Sequence, residues 1–171
     1  MKSLVLLTLI VSASISANAQ SNLPSWFVKS FKQVKQDQKY ELKNFLSPAY
    51  LQADFNGDGK ADIAALTIEK KTGKKGILII HGSNNQYFVL GAGTNFGNGS
   101  NDFKWAGGWK TYRKRFAYET IFNKDDDIQG SRKIKLKRPA IFIYDLEDGE
   151  PNSGGIIYWD GKKYIWIQQG E

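Results

Sequence analysis

Nine consecutive residues carry the most specific chemistry in this chain: Asp54-Phe55-Asn56-Gly57-Asp58-Gly59-Lys60-Ala61-Asp62. A hard cation such as Ca²⁺ collects six to eight oxygens, and a short loop supplies them by turning side chains at positions 1, 3, 5 and 9 toward one point. Asp54, Asn56, Asp58 and Asp62 stand at those positions. Position 6 needs a backbone angle that most residues avoid, and Gly59 occupies it. Lys60 follows and offers only its backbone carbonyl, so its charged side chain is no obstacle. The expected metal ligands are therefore Asp54, Asn56, Asp58, the Lys60 carbonyl and Asp62, and the expected ion is Ca²⁺. The plainer alternative is an Asn-Gly and Asp-Gly turn that needs only polar, flexible residues.

The pattern departs from an EF-hand at position 12, where a bidentate glutamate would close the shell and this chain has Ala65. After Asp62 comes Ile63-Ala64-Ala65-Leu66-Thr67-Ile68, which reads as a strand. A loop of the form DxNxDGxxD that feeds a strand resembles the FG-GAP or VCBS type of repeat, found in integrin-like propellers and in many secreted bacterial proteins. That resemblance spans residues 53–90 and implies a bound calcium beside a small sheet. A full propeller needs about four or more blades of about 40–50 residues, and the sequence holds no second copy of the loop. The run Tyr158-Trp159-Asp160-Gly161-Lys162-Lys163-Tyr164 resembles the closing hairpin of small secreted bacterial proteins that carry one such loop. The combined resemblance implies architecture and a metal, with no catalytic residues.

Constellations for catalysis are scarce. The chain has no cysteine, which removes thiol nucleophiles, disulfides and cysteine-rich zinc sites together. His81 is the single histidine, beside Gly82-Ser83, so any Ser/His/Asp arrangement depends on it alone. A structural histidine at a strand end is the expected reading. Carboxylate pairs for glycoside hydrolysis would have to come from Asp145, Glu147, Asp148 and Glu150, which any acidic turn offers. Asp125-Asp126-Asp127 also reads as a solvated turn. The glycines at 91–99 fit neither GxGxxG nor GxxxxGK[ST], so that stretch is expected to be a flexible surface loop.

The segment from residue 103 to 122 is the most basic and aromatic. Tyr112, Phe116, Tyr118 and Phe122 share one parity, with Arg113, Arg115 and Glu119 on the other. The expectation is an aromatic core face behind solvated charges, in which Phe116→Ala would cost about 3–5 kcal/mol. The alternative is a surface on which rings and cations stack against a glycan or another polyanion.

The elements that must hold these residues follow from periodicity. Phe27, Phe31 and Val34 predict one amphipathic helix with Ser25 as its cap. Strands are expected at 62–69, 75–81, 86–91 and 140–144, and Lys133, Lys135 and Lys137 alternate with Ile134 and Leu136 as in a protected edge strand. In the last hairpin Ile157, Trp159, Tyr164 and Trp166 face one way and Ile156, Tyr158, Ile165 and Ile167 the other, around an Asp160-Gly161 turn expected to be type I′. Two apolar faces place that hairpin centrally, covered on one side by the helix.

Residues 1–19 have one lysine, an apolar run at 4–11 and the ending Ala17-Asn18-Ala19, the pattern of a signal peptide. The run is too short to span a bilayer. Residues 20–171 are expected to form a single domain, exported to the periplasm or secreted. A net charge of +7 suits polyanionic partners and is explained equally well by solubility alone, and 41% hydrophobic residues exclude a disordered chain.

The fold expected is α+β: an N-terminal helix packed on a mainly antiparallel β-sheet meander, with the calcium loop at 54–62. The function expected is an exported calcium-binding module, structural or binding and not catalytic. Two alternatives are a basic-aromatic binder of glycans or other polyanions, and an enzyme or enzyme inhibitor. Partners are expected to be a glycan or protein at the cell envelope, not nucleic acid, and no transmembrane segment is expected.

Overall fold

β-branched and aromatic runs punctuated by glycine favour strands, and strand outweighs helix here, 48% of the described residues against 12%. The computed structural model describes residues 23–125 and 127–170. The expected signal peptide and Asp126 lie outside the described residues. The described residues form one domain of mostly antiparallel β-sheet, with a single α-helix among them.

Helix α1 (Ser25–Gln33) starts one residue earlier than a Ser25 cap would give: the Pro24 carbonyl accepts from Phe27 and Val28, and Ser25 is already helical. Phe27 and Phe31, one turn apart, are buried. The first sheet holds β1 (Tyr40–Leu42), β2 (Tyr50–Ala53), β3 (Asp62–Glu69), β4 (Lys75–Ile80) and β5 (Tyr87–Gly91), all antiparallel. Its order is β1-β3-β4-β5, with β2 on the same side of β3 as β1 and end to end with it. Residues 62–67 are all buried because both faces of β3 are covered. Ile63 and Ala65 share a cluster with Phe27 and Phe31, whereas Ala64 and Leu66 belong to the main core.

The chain continues through β6 (Gly108–Tyr112), β7 (Phe116–Phe122), β8 (Ile128–Lys135), β9 (Ala140–Glu147), β10 (Glu150–Trp159) and β11 (Tyr164–Gln169). The second sheet has the order β11-β10-β9-β6, and β7 and β8 form a separate two-stranded ribbon. The expected single meander is thus divided into two sheets and a ribbon. The physical reason lies in the last hairpin, whose two apolar faces each need a partner. Ile157, Trp159 and Tyr164 pack with the first sheet, while Ile156, Tyr158 and Ile167 pack with Ala117 and Leu136 of the ribbon segment. The face assignment holds, but the cover is the ribbon and not the helix, whose cluster contains no residue of that hairpin. The hairpin loop also differs from a two-residue type I′ turn: Trp159 pairs with Tyr164, and Asp160 Oδ1 accepts from the Lys162 and Lys163 N–H groups at 2.7 and 2.9 Å.

The aromatic face expected in the core is instead outward. Phe116 is 37% exposed and Tyr118 56%, whereas Ala117 between them is fully buried. Tyr112 ends β6 and Phe116 begins β7, so the intervening residues reset the parity that the sequence suggested. A small residue faces inward because the ribbon lies close on the second sheet. Outside, the Lys133 ammonium sits 4.1 Å from the centre of the Phe116 ring, a cation–π pairing that partly replaces burial. The glycine stretch at 91–99 is not a free loop either: a Cβ at Gly97 or Gly99 would collide with the Trp166 ring, and the Trp105 indole donates to the Gly99 carbonyl at 3.1 Å.

These positions separate cleanly in a denaturation experiment. Phe103 is fully buried in the main core, so Phe103→Ala is expected to cost about 3–5 kcal/mol. Phe116→Ala is expected to cost at most about 1 kcal/mol. Urea melts of both variants check the difference.

Candidate metal centre

Residues 54–61 connect β2 to β3, and the pairing of Ala53 with Asp62 fixes the two ends of the loop side by side. Phe55 is buried in the main core and pins the loop from below. Above that anchor the acidic side chains hold the backbone in its turn. Asp54 Oδ1 accepts from Gly57 and Asp58 N–H at 2.7 and 3.0 Å, and its Oδ2 from Gly59 N–H at 2.9 Å. Asn56 Oδ1 accepts from Asp58 N–H at 2.9 Å, and Asp58 Oδ1 from Lys60 N–H at 2.9 Å. Gly59 has φ of 85° with nothing near the position of a Cβ, so the backbone angle alone demands glycine there.

Asp62 is the hub. Its Oδ2 accepts from Phe55 and Asn56 N–H at 2.8 and 3.1 Å, and its Oδ1 from Gly82 N–H at 3.0 Å. The side chain is fully buried. Burial raises its carboxyl pKa above the ordinary value, and the three N–H donors and the nearby His81 oppose that rise. Asp58 is shifted the other way: the Ser83 hydroxyl, the Asn56 amide and the Lys60 N–H all favour its carboxylate.

The five expected ligand residues lie in the turn at 54–62, with Asp62 at the first position of β3. A carboxylate has about four acceptor sites. Asp54 uses three of them, Asp58 three through Lys60, Asn56 and Ser83, and Asp62 three. The donor set is all oxygen, the chemistry a hard cation requires. Among the described residues, no three His, Asp or Glu side chains already converge as a ligand cluster. A bound ion would have to draw them together, and in particular turn the Asn56 amide, whose nitrogen now donates to Asp58 at 2.7 Å. The oxygen donors match the chemistry of a hard cation, while their present geometry is that of a self-bonded turn.

Four side chains around the loop gave little or no signal in the sequence. Ser83 donates to Asp58, and the Arg138 guanidinium donates to the Asn56 carbonyl from 82 residues away. His81 Nε2 pairs with the Tyr164 hydroxyl at 2.9 Å, in a nest formed by Phe88, Trp159 and Tyr164. The sequence singled out His81 with Ser83 beside it and placed Tyr164 on an apolar hairpin face, but linked none of them to the loop. A Ser/His/Asp arrangement does not assemble, because Ser83 bonds an aspartate and His81 bonds a tyrosine. Glu147, Asp148 and Glu150 lie in the exposed β9–β10 turn. Among the described residues, no helix is long and apolar enough to cross a membrane. No protein-family model, curated protein or solved structure matches the chain, and the reading of the loop rests on its own residues.

Burial lowers the His81 pKa, against the pull of the Asp62, Asp58 and Asp54 charges. A histidine held neutral in this way stabilises the fold fully above its unfolded pKa of about 6.5, and that contribution is lost as pH falls toward the lower folded value. Because the chain has one histidine, its imidazole NMR signal is unambiguous. The native midpoint is expected below the midpoint in urea, and equal midpoints would show an imidazole in contact with water.

Proposed function

We propose that the chain is an exported, non-catalytic module in which the loop at residues 54–62 binds a calcium ion and uses it to fix the β2–β3 corner. The observation that carries this reading is that Asp54, Asp58 and Asp62 stand within nine residues on one turn whose backbone N–H groups are bonded to their carboxylates. Asp54, Asn56, Asp58, the Lys60 carbonyl and Asp62 would hold the ion, which supplies charge neutralisation and no reaction. Without a cation the crowded carboxylates repel one another. With one, the loop becomes a rigid corner of the first sheet. The α+β reading belongs to the same proposal and is supported by Phe27 and Phe31 sharing a cluster with Ile63, Leu78 and Ile80. So does residence outside the cytoplasm, which rests on the leader-like pattern of residues 1–19, with a glycan or protein of the cell envelope as partner.

Lacking a glutamate at position 12, the loop is expected to bind Ca²⁺ with a Kd of about 10⁻⁴–10⁻³ M or somewhat tighter. At 100 times that Kd, binding to the native state alone adds about 2.7 kcal/mol. Mg²⁺ is expected to substitute poorly, since it demands a tight octahedral shell and keeps its waters. Thermal melts in chelator and in millimolar calcium check this for the parent and for Asp58→Ala. The parent's midpoint rises and the variant's rises much less. An unmoved parent, or a variant that gains as much, identifies the loop as a turn only.

A further inference from the structure

The two connections that join the ribbon to the second sheet run side by side: residues 113–115 lead into β7 and residues 136–139 lead out of β8, tied by the Leu136 N–H to the Arg115 carbonyl at 2.8 Å. Between them lies a cleft of about 240 Å³. Five cations line it, Arg113, Lys114, Arg115, Lys137 and Arg138, and no acidic side chain does. Five like charges on seven lining residues is an arrangement that repels itself. Nor are these charges answered elsewhere: among the described residues the ion pairs are Lys39 with Glu69 and Arg132 with Glu119, none of them at the cleft.

Arg138 joins the cleft to the loop at 54–62: its guanidinium donates to the Asn56 carbonyl and lies against Gly57, and its Nε is buried without a hydrogen-bond partner. Three of the five cations are arginines, whose planar forks match the paired oxygens of a sulfate or phosphate group better than lysine does. A cleft lined by one sign of charge also concentrates the field and draws in the opposite ion.

We propose that this cleft is a binding site for a tetrahedral oxyanion, a sulfate or phosphate group, either free or carried on a polymer. The site stands on the cleft's own geometry and does not require calcium in the loop. The aromatic pair Phe116 and Tyr118 begins where the cleft ends, since Phe116 follows Arg115 and pairs with Lys135. A polymer held by its anionic group in the cleft would therefore run onto exposed rings.

The test is an NMR titration of the full chain with sodium sulfate and with sodium phosphate, each against sodium chloride at matched ionic strength, in the presence of a calcium chelator. Saturable shifts of the residue 113–115 and 136–138 amides with the oxyanions, absent with chloride, are expected. The double variant Arg113→Gln/Arg115→Gln is expected to weaken binding by about tenfold or more. Both residues are exposed, so the spectrum elsewhere stays that of the parent. Lys29→Gln/Lys32→Gln, exposed on α1, whose cluster contains no residue of the ribbon or the second sheet, is expected to bind as the parent does. Shifts that never saturate, that chloride reproduces, or that the arginine variant leaves intact overturn the site. A sulfated hexasaccharide distinguishes the source: tighter binding than inorganic sulfate, with displacement of it, supports a polymer-borne group, and equal affinity supports the free anion.

Discussion

The Asp62 carboxylate is the interaction on which the rest of this molecule depends. It is buried, so its charge is costly unless answered by donors, and it is answered by three N–H groups from two separate loops. Two of these start the loop after β2, and the third, from Gly82, belongs to the turn after β4. One side chain at the first position of β3 thereby fixes both turns at one end of the first sheet. Charge-assisted bonds of this kind are shorter and stronger than neutral ones, and they orient the backbone on which Asp54, Asn56 and Asp58 are mounted.

Around that hub, polar contacts tie together layers that apolar packing alone would leave free to slide. His81, just past β4 in the first sheet, meets Tyr164 of the second. The Trp109 indole of β6 donates to the Pro48 carbonyl just before β2 at 2.7 Å. Arg138, on the segment after β8, reaches the loop carbonyl of Asn56. Of these contacts only the one from Arg138 is made by the loop at 54–62 itself, which also places Phe55 in the core shared by the two sheets.

Much of this was legible in the sequence where one local rule decided the outcome. The strands Asp62–Glu69, Lys75–Ile80 and Tyr87–Gly91 fall where the apolar runs and their glycine-rich separators place them. The two faces of the last hairpin are also as alternation predicts, because β10 and β11 are regular strands in register. The failures have a different cause. Phe116 and Tyr118 were assigned to a core because one alternation was carried across a break between two strands, and no local pattern says which face of a two-stranded ribbon will find a neighbour. The hairpin loop took four residues because the Asp160 carboxylate satisfies two N–H groups that a tighter turn would not present to it. The partners of the candidate site, Arg138 and Tyr164, come from far along the chain and were invisible to any spacing argument. The candidate ligand residues could be proposed from spacing alone because they fall within nine consecutive positions.

The most direct measurement is an amide NMR spectrum followed from chelator to about 10 mM Ca²⁺, ten times the weakest affinity expected of such a loop. If the loop binds calcium, the amides of Gly57, Asp58, Gly59 and Lys60 and of Gly82 shift and saturate together, at one Kd, while those of β7 and β8 stay where they were. If the loop amides do not move over that range, or move equally with Mg²⁺, then residues 54–62 form a self-satisfied turn and the calcium reading is wrong.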